Sequence, residues 1–231
     1  MAKNSAASLL TSVDSLFTTQ EEREEADREK IEDIPLEKIS DFPAHPFKVR
    51  MDTAMQEMVE SVKQYGVLVP ALVRPKPDGG YEMVAGHRRK CAAELAQLSE
   101  IPCIVRNLTD DEATIIMVDS NLQREQILPS EKAFAYKMKL DAMKRQGQRT
   151  DLTLSPVATK FDTATILGKK SGESRDQVFR YIRLTSLTPN LLELVDNSIL
   201  KDKDILQIAL RPAVELSYLR KEEQDDLFQI I

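Results

Sequence analysis

Cysteine, glycine and tryptophan are scarce in this chain of 231 residues, which holds two Cys, seven Gly and no Trp. Cys91 and Cys103 cannot build a disulfide framework, and they do not form a Cys-x-x-Cys metal or redox pair. A reducing, cytoplasmic setting is the expectation. Long apolar runs are missing too, and nothing approaches the roughly 18 residues of a membrane span. The mild stretch from Ala6 to Leu10 is soon followed by Asp14 with no small-residue cleavage site, so neither export nor membrane insertion is expected. Positive charge is in deficit, with 32 Lys and Arg against 38 Asp and Glu and a formal net charge of −6. That balance opposes a nucleic-acid partner unless the cations are segregated. With 42% apolar residues the chain is not disordered throughout, and its length suits about two small domains.

Residues 1–30 read as an acidic arm. From Glu21 to Asp33 there are eight acids and three bases with almost nothing to bury, which suits a solvated helix or a disordered segment. Beyond it the texture becomes mixed. Ile34, Leu36 and Ile39 lie near a short strand. In the helix that follows, Thr53 and Gln56 stand in capping-box spacing, Met55, Met58, Val59 and Val62 recur on one face, and Gly66 ends the run. "VLVPALVRP" reads as a buried strand interrupted by Pro70, "YEMVAG" as a second strand, Arg88 to Leu98 as a helix and "IPCIVRNL" as a third strand.

The second half is helical in pattern. Thr109 and Glu112 form a capping box that opens a helix through about Asp119. "PSEKAFAYKMKLDAMKRQG" is an amphipathic helix with Phe134, Met138 and Met143 facing inward and Gly147 closing it. After the connection "QRTDLTLSPVATKFD" come two short helices, about Thr163 to Lys170 and Ser174 to Leu184, and Thr188-Pro189 starts another. The expected division is 1–30 arm, 31–108 α/β module, 109–150 linking helices and 151–231 helical module.

Three segments carry chemistry. In "VAGHRRKCA" a Gly leaves a strand and a helix begins, so backbone amides and the forked donors of Arg88 and Arg89 suit an anion. The same residues also suit an ordinary helix start with two solvated arginines. In "DSNLQREQILPSE", Asn121 offers an amide oxygen to a hard cation and Gln123 and Arg124 can reach phosphates, although such groups between helices are commonly caps. The third segment matches a helix-turn-helix in length and punctuation. Ser174 and Gln177 form a capping box, Val178 and Ile182 would pack on Ile166 and Leu167, and Arg175, Gln177, Arg180 and Tyr181 would face outward, where Arg and Gln can read base edges. A plain helical hairpin is the competing reading. Lys169 and Lys170 add charge at the end of its first helix.

Taken in order, "GVLVPALVRP", "GHRRKCA" and "NLQRE" followed by a helix-turn-helix resemble the ParB-type partition proteins over about Ile34 to Leu210. The resemblance implies an α+β, ParB/sulfiredoxin-like N-terminal module followed by an all-α helix-turn-helix module. It also implies CTP with Mg²⁺ as ligands, a palindromic centromere-like site on double-stranded DNA, a homodimer that closes as a sliding clamp, and a ParA-type ATPase partner met through Met1 to Lys30. On this resemblance Gly66, Val69 and Pro70 lie beside base and ribose, Gly86, His87, Arg88 and Arg89 hold the triphosphate, Gln123 and Arg124 lie on the phosphate side, and Asn121 coordinates the metal. The family usually has an acid after the phosphate-turn Gly, where His87 stands. It usually has Glu before the Asn, where Ser120 stands, and Ser cannot supply that charge. CTP binding with slow turnover is therefore expected, with Asp119 or Glu125 as possible substitutes. A further C-terminal dimerisation domain is usual in the family, whereas the residues here end at "DDLFQII".

Three other readings are open. Sulfiredoxin resembles the N-terminal module, but it places its catalytic Cys where Gly86 stands, and Cys91 is not equivalent. A small-molecule kinase of the same fold would lack a basic helix-turn-helix. A plain repressor would bind DNA with or without CTP. The charge census favours DNA: Glu131 to Arg183 carries twelve bases and six acids, a local +6 within a chain of −6.

Overall fold

A computed structural model describes residues 30–124, 126–150, 163–200 and 206–230. The arm expected over residues 1–30 lies outside them except for Lys30, as do Glu125 and residues 151–162 of the connection.

Five strands form one mixed sheet in the order β1-β5-β3-β4-β2. They are β1 (Ile31–Pro35), β2 (Ile39–Ser40), β3 (Ala71–Pro75), β4 (Tyr81–Ala85) and β5 (Glu100–Val105). β1 runs antiparallel to β5 with Ile34 opposite Ile101, β3 lies parallel to β5 with Val73 opposite Val105, and β3 and β4 pair antiparallel. Met83 and Val84 are both fully buried although they point to opposite faces, so the centre of the sheet is covered on both sides. On one side α1 (Thr53–Tyr65) and α2 (His87–Leu95) bring Met55, Val62, Ala92 and Ala93 against Val73, Met83 and Ile101. On the other, α3 (Asp110–Leu122) packs Ala113, Met117 and Val118 against Val84 with Phe42 and Phe47.

Several boundaries differ from the sequence pattern. α1 is capped by Asp52, whose carboxylate accepts from the Met55 amide at 2.8 Å, one residue before the expected Thr53. Asp accepts well at an N-cap, and the spacing rule does not separate it from the adjacent Thr. Leu68 and Val69 are exposed and outside any strand, because Pro70 has no amide to donate and β3 begins only after it. α2 starts at His87 and ends at Leu95. α3 continues beyond Asp119 to Leu122, which puts Asn121 on a helix rather than in a linker. The Thr109 and Glu112 capping box is present with both reciprocal bonds.

From Asp110 onward every described element is helical: α4 (Pro129–Thr150), α5 (Thr163–Ser171), α6 (Arg175–Arg183), α7 (Pro189–Leu200), α8 (Leu210–Leu216) and α9 (Lys221–Ile230), with a short 3-10 turn after α6. α4 is the hub. Ala135 joins the α3 cluster, Tyr136 the α5 and α6 cluster, and Ala133 the α7 cluster. Phe134, expected inward, is 40% exposed. Ala133, Ala135 and Tyr136 take the positions that face the neighbouring helices, and Phe134 falls on the side they leave open. α4 also passes through Gly147, the expected terminus. No helix among the described residues is long and apolar enough to cross a membrane.

Candidate functional site

The strand-to-helix junction is built on Gly86, at φ +119°, where an added Cβ would lie 2.9 Å from the Ala71 Cβ. Only glycine tolerates that backbone against β3. The next three side chains take separate courses. His87 is buried, its ring stacked at 3.8 Å on His45, and its Nε2 is 3.5 Å from the Phe42 amide. Burial, with the charge of His45, pushes its pKa down to about 3, so the ring stays neutral. Arg88 turns towards Asp52 at 3.3 Å. Arg89 turns the other way, and its Nη1 donates to the carbonyls of Val69 at 2.7 Å and Pro70 at 2.5 Å. This guanidinium thus fastens the 66–70 loop to α2, so of the two arginines expected at a triphosphate, only Arg88 faces a cleft.

That cleft, of about 360 Å³, is lined by Lys48, Arg50, Arg88 and Arg124 together with Asp52 and Glu131. Four cations meet two acids. Arg124 lies over the Phe47 ring at 5.5 Å. Burial lowers its pKa, and the charges of Arg88 and Arg50 lower it further against the opposing pull of Glu131. Like charges held together in a half-buried cleft are relieved by an anion, and forked guanidinium donors suit phosphate oxygens. Glu131 organises one wall: its Oε1 accepts from the Lys48 amide at 2.9 Å and its Oε2 from the Leu128 amide at 3.0 Å.

Asn121 is buried on α3. Its amide nitrogen donates to the Met117 carbonyl at 2.8 Å, and the Ser120 hydroxyl donates to the same carbonyl at 2.9 Å. Asp119 is ion-paired to the fully buried Lys139. Mg²⁺ is usually held by one or two carboxylates plus substrate phosphates. Among the described residues no group of three or more His, Cys, Asp or Glu is placed to hold a metal, and with Asp119 paired to Lys139 the neutral amide oxygen of Asn121 would suit a Mg²⁺ whose other ligands are substrate phosphates. Gln123 is the exposed C-cap of α3.

α5 and α6 form a tight helical pair. Gly168 permits it, because an added Cβ would stand 2.6 Å from the Glu173 carbonyl oxygen, whose own amide donates to the Gly168 carbonyl at 2.9 Å. Ser174 caps α6 through the Gln177 amide at 3.2 Å. Leu167 and Val178 are fully buried with Tyr136. Lys169, Arg175 and Arg180 are exposed and Gln177 is half-buried. The side chain of Lys170 lies outside the described residues. Tyr181 departs from the expected outward face: its ring meets Tyr136 edge-on at 5.9 Å and lies 5.1 Å from the Lys132 Nζ. Position 181 is three residues after Val178 and so shares its inward side.

The ParB N-terminal domain family model matches residues 20–122. The chain is 36% identical over 163 residues to the chromosome-partitioning protein Spo0J of Thermus thermophilus, covering 71% of this chain and 54% of that protein. It is also 36% identical over 167 residues to the stage 0 sporulation protein J of Bacillus subtilis, covering 72% and 53%. The chain belongs to the ParB-type partition protein family. This ParB-type chain spans just over half the length of those relatives. Its fold is similar, at a TM-score of 0.50 and 24% identity, to the C-terminally truncated chromosome-partitioning protein ParB from Caulobacter crescentus complexed to the centromeric parS site. That likeness covers 87% of this chain and 100% of the other.

Among the residues that line the cleft, Lys48, Arg50 and Glu131 escaped the sequence reading. The basic pair in "PFKVR" just ahead of the α1 cap was a visible signal for the first two. Glu131 stands three residues after Leu128, the spacing of a side chain that returns to a cap amide.

Proposed function

We propose that this ParB-type chain is a CTP-responsive, sequence-specific DNA-binding partition protein whose dimer closes as a clamp on double-stranded DNA. The observation that carries the reading is the cationic cleft of Lys48, Arg50, Arg88 and Arg124, which opens beside the Gly86 turn and has the size and charge for a polyphosphate. The DNA half of the reading rests on α5 and α6, with Lys169, Arg175 and Arg180 exposed, and on the relative solved with its parS site. CTP is the nucleotide that the family resemblance implies, and Gly66, Val69 and Pro70 are proposed for the base and ribose. Mg²⁺ would be held by Asn121 together with nucleotide phosphates, supplying charge neutralisation there. Turnover is proposed to be slow, because Ser120 carries no charge and Asp119 is ion-paired to Lys139. Association with a nucleoid or plasmid, and a ParA-type ATPase engaging Met1 to Lys30, follow from the same reading.

The test is residence on closed DNA. Protein loaded on a circular duplex bearing a parS site should survive a high-salt wash only with CTP present, and Arg88→Ala should abolish that resistance while low-salt site binding persists. Equal residence with and without CTP would instead identify a plain DNA-binding repressor.

A further inference from the structure

The first turn of α4 holds three parts of the molecule with three consecutive side chains. Ser130 donates from its amide and hydroxyl to the Asp196 carboxylate of α7, at 2.9 and 2.5 Å. Glu131 accepts the Lys48 amide in the wall of the anion cleft. Lys132 donates to Glu173 in the turn between α5 and α6 at 2.7 Å, and its ammonium lies 5.1 Å from the centroid of the Tyr181 ring. Successive helical residues project about 100° apart, so one rigid turn can address three directions at once. None of these contacts is loose. Glu131 and Ser130 are buried, and the Lys132 and Glu173 side chains are 25% and 15% exposed. The Glu173 carboxylate also faces the Tyr136 hydroxyl, and Lys132 supplies the positive charge that compensates its burial.

We propose that Glu131 and Lys132 are paired positioning residues that link the anion cleft to the helix-turn-helix. Glu131 fixes the cleft wall to α4, and Lys132 fixes the turn ahead of α6 to the same helical turn. An anion that draws Lys48, Arg50 and Arg124 together pulls on the wall that Glu131 anchors, and the displacement reaches Glu173 through the adjacent residue. The link depends on the proposed nucleotide role of the cleft. Because coupling between sites is reciprocal, an event at Glu173 must bias the cleft by the same factor.

Hydrogen exchange on the full chain, with and without CTP and Mg²⁺, tests it. In the unaltered protein, CTP should slow exchange in peptides spanning residues 48–56 and also in those spanning 171–178, each by about fivefold or more, the lower end of typical site-to-site coupling. Lys132→Met should keep the first effect and lose the second, and Lys132→Arg should restore it. Should Lys132→Met fail to fold, Glu173→Gln serves as the second variant with the same expectation. Protection at 48–56 without any change at 171–178, or a change there that survives Lys132→Met or Glu173→Gln, overturns the link. No protection at 48–56 in the unaltered protein overturns the nucleotide reading of the cleft itself, and the link falls with it.

Discussion

Arg89 holds the carbonyls of Val69 and Pro70 with one guanidinium nitrogen, at 2.7 and 2.5 Å, and so joins a loop with two exposed apolar residues to the first turn of α2. Burial lowers its pKa, yet the two carbonyl dipoles give the charge a place to reside. Its neighbour Arg88 has no such duty beyond a 3.3 Å contact with Asp52. Adjacent arginines in one motif therefore do different work, one for the fold and one for the cleft.

Arg89→Ala should destabilise the protein by about 1–3 kcal/mol, the range for buried hydrogen bonds to a charged group. Arg88→Ala should change stability by less than about 0.5 kcal/mol, as half-exposed ion pairs do. Urea denaturation midpoints check both, and similar midpoints for the two variants would contradict the division of labour.

Gly86→Ala should destabilise by more than about 1 kcal/mol, because φ +119° is strained for any other residue and the new Cβ meets Ala71. Gly168→Ala should instead act on DNA binding. Its Cβ would press on the Glu173 carbonyl and tilt α6 away from α5. Gel-shift titration with a parS duplex should show site affinity falling at least about tenfold.

Much of this arrangement was legible in the sequence, and the rest was hidden for physical reasons. Capping chemistry is local, so Thr109, Ser174 and the glycine turns could be read from neighbours within four residues. The inward set of α4 could not, because Phe134 and Tyr136 are alike in pattern and only the four surrounding helices, α3, α5, α6 and α7, decide which is covered. The cleft was half legible. Arg88 and Arg124 announced themselves through their motifs, whereas Lys48 and Arg50 become part of it only because Glu131, 83 residues away, holds the Lys48 amide. A contact of that sequence separation leaves no periodic trace.

Acid should weaken the fold through His87. Its folded pKa, about 3, lies below its ordinary 6.5, so between those values the unfolded chain binds a proton that the folded chain refuses. That contribution to stability is therefore full above about pH 6.5 and is lost progressively as pH falls towards 3. Burial lowers His45 in the same direction, while Asp196, raised by burial, acts in the opposite sense. Denaturation midpoints of the wild type and His87→Asn, compared at pH 7.5, 5.5 and 4.5, should converge as the pH falls. A constant difference across that range would contradict a neutral buried His87.

Asp52→Ala should remove the α1 cap at a cost of about 1 kcal/mol and also release Arg88 from its acid partner in the cleft wall. Nucleotide affinity should then hold or rise while thermal stability falls. A parallel loss of both would mean that Asp52 positions the ligand rather than competing for Arg88.

The central claim is that the cleft of Lys48, Arg50, Arg88 and Arg124 is a nucleotide site. Isothermal titration with CTP, ATP, GTP and UTP, each with Mg²⁺, tests it most directly when the unaltered protein is set beside Arg124→Ala and Arg88→Ala. Selective heat with CTP, reduced at least about tenfold in both variants without a shift in their melting temperature, is the predicted result. Equal response to all four nucleotides, or CTP binding that persists in both variants, would contradict it.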